Sequence, residues 1–224
     1  MVRACLSGRV RYLLVTNHQS MIDSFLLGIV LFFPRVLWYW RDPPFHLADG
    51  RNFGKHPFLG IFYDALRAIP VDRTKQDMQA YKAAVKALQN GRVLCVFPEG
   101  GRERPGEFLR PLQPKALTYA LAVATPVLIC AFHGMHDVQR YATNPLDDPV
   151  WWRRIVRHTS WLTSFRWGKR IGFVYGPLLT AEEVRKIAGD GTRAEQRERL
   201  TQYVEQVLRS LKEETERLVR HSAP

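Results

Sequence analysis

The sequence predicts an α/β fold, a single domain with a largely parallel central sheet flanked by helices. Three continuous apolar runs, at residues 12–16, 93–97 and 127–132, have the length and composition of buried strands. Helix-like stretches separate these runs, and such an alternation is typical of parallel sheets that are covered on both faces. With 224 residues and 46% hydrophobic content, the chain suffices for one domain, residues 1–224, with a substantial core.

A polar segment, Asn17 to Asp23, follows the first strand and precedes a helix predicted for residues 24–33. On a regular helix the offset between His18 and Asp23 would turn about 500°, so their side chains would point roughly 140° apart. They can meet only where the chain turns from strand to helix. In such a turn Asp23 would hold one imidazole nitrogen and leave the other facing a cleft, which predicts a general base. The alternative is a polar strand end followed by an ordinary helix-start carboxylate.

Further elements follow in the same order of strand and helix. Residues 36–40 form a strand-like run, and residues 50–60 mix strand and loop signals. Residues 68–71 predict a short strand that ends at Asp72 and Arg73, a position where parallel sheets commonly place functional groups. A helix follows, with Thr74 as its predicted N-cap and Asn90-Gly91 as its C-terminal signal.

The strand at residues 93–97 leads into the pentapeptide Pro98-Glu99-Gly100-Gly101-Arg102. Two glycines beside a glutamate and an arginine indicate backbone that bends close to a ligand, with Arg102 placed to make paired hydrogen bonds to an anion. A purely structural turn would have the same composition. The pentapeptide alone therefore leaves both interpretations open.

The C-terminal half completes the predicted domain. A helix is predicted to begin near Pro114 and to end before Thr125-Pro126. Residues 194–220 predict one amphipathic helix, with an apolar stripe formed by Leu200, Tyr203, Val204, Val207, Leu208, Leu211 and Leu218. Because the charges of this helix are mixed, we expect it to pack on the domain. A dimer contact is the alternative.

The composition indicates which kinds of partner and which cellular compartment to expect. The net charge of +12 indicates an anionic partner, which is nucleic acid, a membrane surface or a phosphorylated substrate. The odd number of cysteines (Cys5, Cys95 and Cys130) argues for a reducing compartment, and Cys95 lies mid-strand, where a thiol usually fills the core. The sequence has neither the roughly 18 continuous apolar residues of a transmembrane helix nor a signal-peptide core, so we expect a cytoplasmic, peripheral protein at the inner face of the membrane. The scattered histidines lack metal-ligand spacing, so no metal is expected.

Four motifs, in this order, resemble the sequence blocks of the glycerolipid acyltransferases, the family of the 1-acylglycerol-3-phosphate acyltransferases. They are Asn17-His18 with Asp23, Ile69-Pro70-Val71-Asp72-Arg73, Phe97-Pro98-Glu99-Gly100 with Arg102, and Thr125-Pro126-Val127-Leu128-Ile129. The resemblance covers residues 13–132. Residues 172–178 resemble the strand and turn near the end of that domain, which gives a motif-bearing core of about residues 13–178.

The resemblance implies acyl transfer from a thioester, acyl-CoA or acyl carrier protein, to the free hydroxyl of a lysophosphatidic acid. Other lysophospholipids, glycerol phosphate, and amino-acid or sugar lipids are alternative acceptors, and a thioesterase is a second enzyme class. A thioester is already activated, so the chemistry needs a base and an oxyanion contact but no serine or cysteine nucleophile. No cofactor is implied beyond this co-substrate. By resemblance, His18 is the base, Asp23 orients it, and the acceptor's polar head is bound by Arg73, Glu99, Gly100 and Arg102.

The sequence departs from the family pattern at two places near the third block. Gly101 stands where the family usually has threonine, which removes a hydroxyl. Gln113 stands where a lysine is expected, and Lys115 is the cation that would compensate for it. Both departures concern the part of the site that would hold the acceptor's head group.

Residues 151–170 combine aromatic and basic side chains and contain no acidic residue. Such a mixture predicts contact with an anionic membrane surface. One alternative is a helix that packs its tryptophans inward. The leading non-enzyme alternative is binding of single-stranded nucleic acid by stacking and phosphate contacts. Nothing in the chain resembles a nucleic-acid-binding module, so a nucleic-acid partner is not expected.

Overall fold

The structure, a computed structural model, describes residues 11–20, 23, 26–27, 44–50, 67–72, 74, 77–104, 107–138, 166 and 168–221. Several predicted features lie outside these residues. They are most of the helix at residues 24–33, the run at 36–40, nearly all of the segment at 50–60, Arg73, Cys5, and residues 151–170 apart from 166 and 168–170.

Within the described residues, six strands form one sheet in the order β3-β2-β4-β1-β5-β6. The strands are β1 (Leu13–Thr16), β2 (Phe45–Asp49), β3 (Ala68–Val71), β4 (Leu94–Val96), β5 (Val127–His133) and β6 (Gly172–Leu179). The first five run parallel, whereas β6 is antiparallel to β5. The prediction of a largely parallel sheet is confirmed. Because parallel strands end at a common edge, the segments that follow β1, β3 and β4 are brought to the same side of the sheet.

Both faces of the sheet are covered, as its apolar strands predict. Along β1, Leu13 and Val15 belong to one buried apolar cluster, whereas Leu14 belongs to a second cluster on the opposite face. This alternation follows from the two-residue period of a strand. The first cluster is completed by side chains of the helices described below, and the second contains the buried thiols of Cys95 and Cys130. The prediction that Cys95 fills the core is confirmed.

The helices connect the strands, and most of them pack on the first face, whereas Met135 and Leu27 belong to the second cluster. Helix α1 spans Met78–Gln89, a 3-10 turn spans Pro114–Leu117, and α2 spans Thr118–Val123. The short α3 spans Met135–Val138, α4 spans Ala181–Ala188, and the long α5 spans Arg193–His221. Asp23, Leu26 and Leu27 are also helical. The predicted helix near Pro114 therefore begins as a 3-10 turn, with the proline in its first turn.

The N-cap prediction for α1 is wrong, because Asp77 caps the helix instead of Thr74. The Asp77 carboxylate accepts hydrogen bonds from the backbone N–H groups of Gln79 and Ala80, each at 3.0 Å. Thr74 is engaged upstream, where its hydroxyl donates to Asp72 Oδ1 at 2.6 Å. A carboxylate accepts two backbone N–H groups at once, which a threonine at the earlier position cannot match. At the other end, Asn90 is the C-cap and Gly91 adopts a φ of 77°, so the predicted stop signal is confirmed.

Three of the described elements, β2, the short α3 and α4, escaped prediction, and the apolar stripe of α5 needs correction. Strand β2 contains buried His46 and Asp49, and these polar residues interrupt its apolar pattern. Helix α4 is short and begins with a capping box. Helix α5 packs on the domain as predicted, but Leu218 is 49% exposed and lies outside the buried stripe. The stripe instead includes three polar residues, Thr201, Lys212 and Thr215.

Candidate active site

The predicted pair of His18 and Asp23 forms where β1 ends. His18 Nδ1 lies 2.8 Å from Asp23 Oδ2, across a turn that leads from the strand into helical backbone at Asp23. The Asp23 side chain is fully buried, whereas 20% of the His18 side chain remains exposed. Because Nδ1 is held by the carboxylate, Nε2 is the ring nitrogen that is left to exchange a proton. The geometry is that of an oriented general base.

Asp23 also closes the turn that carries His18. Its Oδ2 accepts the backbone N–H of Gln19 at 2.6 Å and that of Ser20 at 2.8 Å, and its Oδ1 accepts the Ser20 hydroxyl. One buried carboxylate therefore fixes the backbone of the two residues after His18 and the imidazole as well. The hydrogen bonds from the turn in return hold the Asp23 carboxylate in place beside the His18 ring.

The segment after β4 holds His18 from a second direction. The Phe97 ring stacks on the imidazole, with ring centroids 4.2 Å apart and an interplanar angle of 22°. Glu99 Oε1 accepts the backbone N–H of His18 at 2.8 Å. In addition, the backbone carbonyl of His18 accepts the N–H of Glu103 at 2.6 Å. The first and third blocks are thus joined through backbone, side-chain and ring contacts.

Glu99 is almost fully buried, with 4% of its surface exposed. Besides His18 N–H, its carboxyl group accepts the backbone N–H of Arg110 at 3.3 Å. Burial, and secondarily the charge of Glu103, raise the pKa of Glu99 to about 8. The two backbone hydrogen bonds and the charge of Lys212 act in the opposite direction and lower it. The carboxyl group of Glu99 therefore carries a proton at neutral pH. In the structure it braces the His18 loop, while its predicted role toward the acceptor stays a prediction.

Arg110, which sequence reasoning missed, lies against the two-glycine loop. Gly100 adopts a φ of 67°, a left-handed conformation that favours glycine. At Gly101 a Cβ would lie 2.8 Å from Arg110 Nη1, and this Nη1 donates to the carbonyl of Arg102 at 3.4 Å. The glycine that replaces the family's threonine thus makes room for a guanidinium. The signal that the sequence offered was the absence of a side chain at Gly101 together with an arginine downstream at position 110.

The remaining predicted site residues are placed as follows. Gln113 donates its backbone N–H to the carbonyl of Pro98 at 2.6 Å, and its side chain packs against Gly100. Lys115 is exposed on the 3-10 turn that follows. Arg73 lies outside the described residues. The structure therefore brings together His18, Asp23 and the loop of Glu99, Gly100 and Arg102.

The second block borders a cavity at the same edge of the sheet. This cavity, of about 540 Å³, is lined by Gly50, Ile69, Pro70, Val71, Asp72, Asp77, Gln79, Ala80 and Ala83. None of these residues belongs to the His18–Asp23 pair or to the glycine loop. The two acidic side chains make the cavity unfavourable for a phosphate group.

A buried polar network, also missed in the sequence, surrounds the His18 loop. The Asn17 side chain exchanges two hydrogen bonds with the backbone of Phe132, each at 3.0 Å, and donates to Glu103 Oε1 at 3.2 Å. The Gln19 amide donates to Glu103 Oε2 at 2.9 Å and accepts the Met135 N–H at 3.2 Å. Two side chains of the loop therefore converge on one buried carboxylate.

Other reactive groups are held inert by burial. Burial lowers the pKa of His46 to about 4 and raises the pKa of Cys130 to about 12, so neither is charged at neutral pH. Among the described residues, no group of three or more His, Cys, Asp or Glu could hold a metal ion. A search of those same residues for a helix with the length and hydropathy of a membrane span found none.

The fold and the site together define the class of protein. It is an α/β protein that presents an Asp-oriented histidine and an arginine-bearing glycine loop at the carboxyl edge of a parallel sheet. The model of the acyltransferase family matches residues 6–133, which is more than half of the chain. The chain therefore belongs to the acyltransferase family, and the prediction made from the four motifs is confirmed.

Three relatives that are similar to this chain carry the same name. The chain is 24% identical over 123 residues to the 1-acyl-sn-glycerol-3-phosphate acyltransferase of Bacillus subtilis, covering 55% of this chain and 56% of the relative. It is 30% identical over 123 residues to the enzyme of that name from Saccharomyces cerevisiae, and this match covers 52% of this chain and 37% of the relative. It is 26% identical over 160 residues to the enzyme of that name from Helicobacter pylori, and this match covers 68% of this chain and 60% of the relative. Each match spans less than two thirds of the relative's length.

A solved structure shares the fold. The 1-acyl-sn-glycerophosphate (LPA) acyltransferase PlsC from Thermotoga maritima superimposes with a TM-score of 0.58 at 22% identity. The match covers 91% of this chain and 66% of that one. It therefore extends past the region matched by the family model and includes the C-terminal elements.

Proposed function

We propose that the protein transfers a fatty acyl group from an acyl thioester, acyl-CoA or acyl carrier protein, to the free hydroxyl of a lysophosphatidic acid, giving phosphatidic acid. The observation that carries this proposal is the His18–Asp23 pair, held at 2.8 Å beside the glycine loop. The family and the names of the relatives support the reaction class and the acceptor.

The reaction proceeds by direct transfer. His18 Nε2 takes the proton of the acceptor hydroxyl while the hydroxyl oxygen attacks the thioester carbonyl. The tetrahedral intermediate then collapses, the C–S bond breaks, and the leaving thiolate receives the proton from the imidazolium. Asp23 stabilises the imidazolium between these two steps and keeps Nε2 directed at the substrate. No covalent acyl-enzyme is required, because the thioester is already an activated acyl donor.

The acceptor's phosphate is bound on the glycine-loop side of His18. Arg102 belongs to this loop, and the Arg110 guanidinium lies over Gly101 next to it. Two guanidinium groups offer planar, paired donors that suit a phosphate. Arg73, Glu99 and Gly100 are the further head-group residues carried over from the family, and Lys115 is a further cation close to the position where the family has a lysine and this chain has Gln113. Arg110 takes the role of the cation that Gln113 has replaced.

The protein works at a membrane surface, where its lipid acceptor lies. Residues 151–170 supply the aromatic and basic side chains for this contact, and the net charge of +12 favours an anionic leaflet at the inner face of the membrane. Binding to vesicles with and without anionic lipid, at low and high salt, tests this part. Equal binding to oligonucleotides would favour the nucleic-acid alternative.

An acceptor panel with one labelled acyl thioester tests the activity. Lysophosphatidic acid should be acylated, whereas monoacylglycerol, which lacks only the phosphate, should be a poor acceptor. His18→Ala should lower turnover by roughly 10²–10⁴-fold, because it removes the general base. His221→Ala, at the exposed end of α5, serves as the matched control. Full activity of His18→Ala would contradict the mechanism, and thioester hydrolysis without transfer would indicate a thioesterase.

A further inference from the structure

Helix α5 approaches the active-site edge because β6 carries two glycines on the face toward it. A Cβ at Gly172 would lie 2.8 Å from Thr215 Cγ2, and one at Gly176 would lie 2.5 Å from Leu211 Cδ1. The helix therefore rests directly on the strand along the turn between Leu211 and Thr215. This close packing fixes the position of Lys212, which lies in the same turn.

Lys212 points into the protein and contacts the segment that follows the third block. Only 1% of its side chain is exposed, and its ammonium forms an ion pair with Oε2 of Glu103, whose side chain is fully buried. The ammonium also lies 5.1 Å from the centroid of the Phe108 ring. Lys212 therefore contacts both ends of the loop that leads away from the glycines.

The buried charges balance only when Lys212 is present. Glu99 and Glu103 lie close enough to repel each other, and burial raises the pKa of both. With Glu99 protonated, the Lys212 ammonium and the Glu103 carboxylate form a neutral pair. Without the ammonium, an ionised Glu103 would be an uncompensated buried charge, which is strongly unfavourable.

The ionised Glu103 is the acceptor for the loop that carries His18. Asn17 and Gln19, the residues on either side of His18, both donate their amide N–H groups to its two oxygens. A protonated carboxyl group would have to present its own hydrogen to one of these donors. The loop would then lose one of the contacts that hold His18 in place.

We propose that Lys212 of the C-terminal helix is a positioning residue for the catalytic base: it keeps Glu103 ionised, and Glu103 holds the His18 loop through Asn17 and Gln19. This inference rests on the proposed role of His18 as base. It makes α5 a functional part of the active site, although the helix lies beyond the residues matched by the family model.

Lys212→Met tests this role, with Arg209→Met as a matched control, because Arg209 pairs with Glu205 on the exposed side of the same helix. For Lys212→Met we expect kcat to fall roughly 10- to 100-fold, as misplacement of a catalytic group does, while the KM for the acceptor stays within about twofold. Hydrogen exchange of the amides of Gln19 and Ser20 should become faster. The control should change none of these.

Glu103→Gln and the double variant Glu103→Gln/Lys212→Met separate the pair from a general loss of stability. Glu103→Gln leaves the ammonium buried without its partner, so adding Lys212→Met should raise kcat again. This comparison also serves if Lys212→Met alone does not fold. The inference would be overturned if kcat of the double variant were lower than that of Glu103→Gln. It would also be overturned if folded Lys212→Met had the kcat and the amide hydrogen exchange of the wild type. If the wild type acylates no acceptor, the proposed function fails, while the exchange measurement still decides whether Lys212 positions the loop.

Discussion

Replacing Asp23 separates its two tasks, closing the turn and stabilising the imidazolium. Asp23 receives hydrogen bonds from the His18 ring, from two backbone N–H groups and from the Ser20 hydroxyl. In Asp23→Asn the amide oxygen can take the place of Oδ2 and keep three of these donors. The amide nitrogen then faces the Ser20 hydroxyl, which can rotate to accept. The variant should therefore fold, losing about 1–2 kcal/mol of unfolding free energy for the weaker, uncharged acceptor.

Its catalytic loss should be much larger than its loss of stability. The neutral amide still accepts from Nδ1, so the imidazole keeps its orientation, but the positive charge formed after proton transfer is no longer balanced. We expect kcat to fall roughly 10²–10⁴-fold, which corresponds to about 3–5 kcal/mol in the activation barrier. The KM for the acceptor should change little, because Asp23 is buried and faces His18.

Asp23→Ala provides the contrast. It leaves the buried N–H groups of Gln19 and Ser20 without an acceptor, and each such group costs about 1–3 kcal/mol. We therefore expect about 2–6 kcal/mol of destabilisation, measured by urea unfolding, in addition to the loss of activity. Steady-state acyl transfer with lysophosphatidic acid measures the catalytic part. An Asp23→Asn variant with wild-type kcat would refute the assignment of His18 and Asp23 as a catalytic pair.

Two further predictions concern the glycine loop and the glutamate beside it. Because Glu99 has a pKa near 8 in the folded protein against 4.5 as its ordinary value, the folded state holds an extra proton between these values, and stability falls as the pH rises through that window. The unfolding free energy of Glu99→Gln should therefore rise relative to wild type from pH 4.5 to 8, and parallel curves would contradict this. Gly101→Ala should displace the flexible end of Arg110 and raise the acceptor KM about tenfold, the effect of one lost charged contact. Since Gly101 does not adopt a positive φ, stability should change by less than about 0.5 kcal/mol, and an unchanged KM would remove Arg110 from the head-group site.

The sheet and the His18–Asp23 turn were predictable because their signals are local. Continuous apolar runs indicate buried parallel strands whatever surrounds them, and the offset between His18 and Asp23 excludes contact on a helix. Parallel strands also guarantee that segments following different strands meet at one edge. The first and third blocks could therefore be expected to lie together before any coordinates were known.

The features that escaped prediction depend on partners distant in sequence. In β2, His46 and Asp49 are buried polar residues, so the strand does not show the uniform apolar run that marks its neighbours. The burial of Lys212 was equally hard to predict, since a lysine in an amphipathic helix normally marks the solvated face. Only the ion pair with Glu103 makes its burial favourable, and no local pattern connects those two positions. The role of Gly101 was hidden for the same reason, because the space it leaves is filled by Arg110.

The division between the matched region and the rest of the chain bears on how the site is built. The family model ends at residue 133, at the end of β5, and the residues that it covers include His18, Asp23 and the glycine loop. Yet Glu103, which receives the amides on both sides of His18, lies inside that region and is buried against a lysine from outside it. The antiparallel β6 and its two glycines are what bring α5 close enough to supply the charge. The proposed chemistry thus resides in the residues matched by the family model, whereas the ion pair that we propose positions the His18 loop is completed by the C-terminal helix.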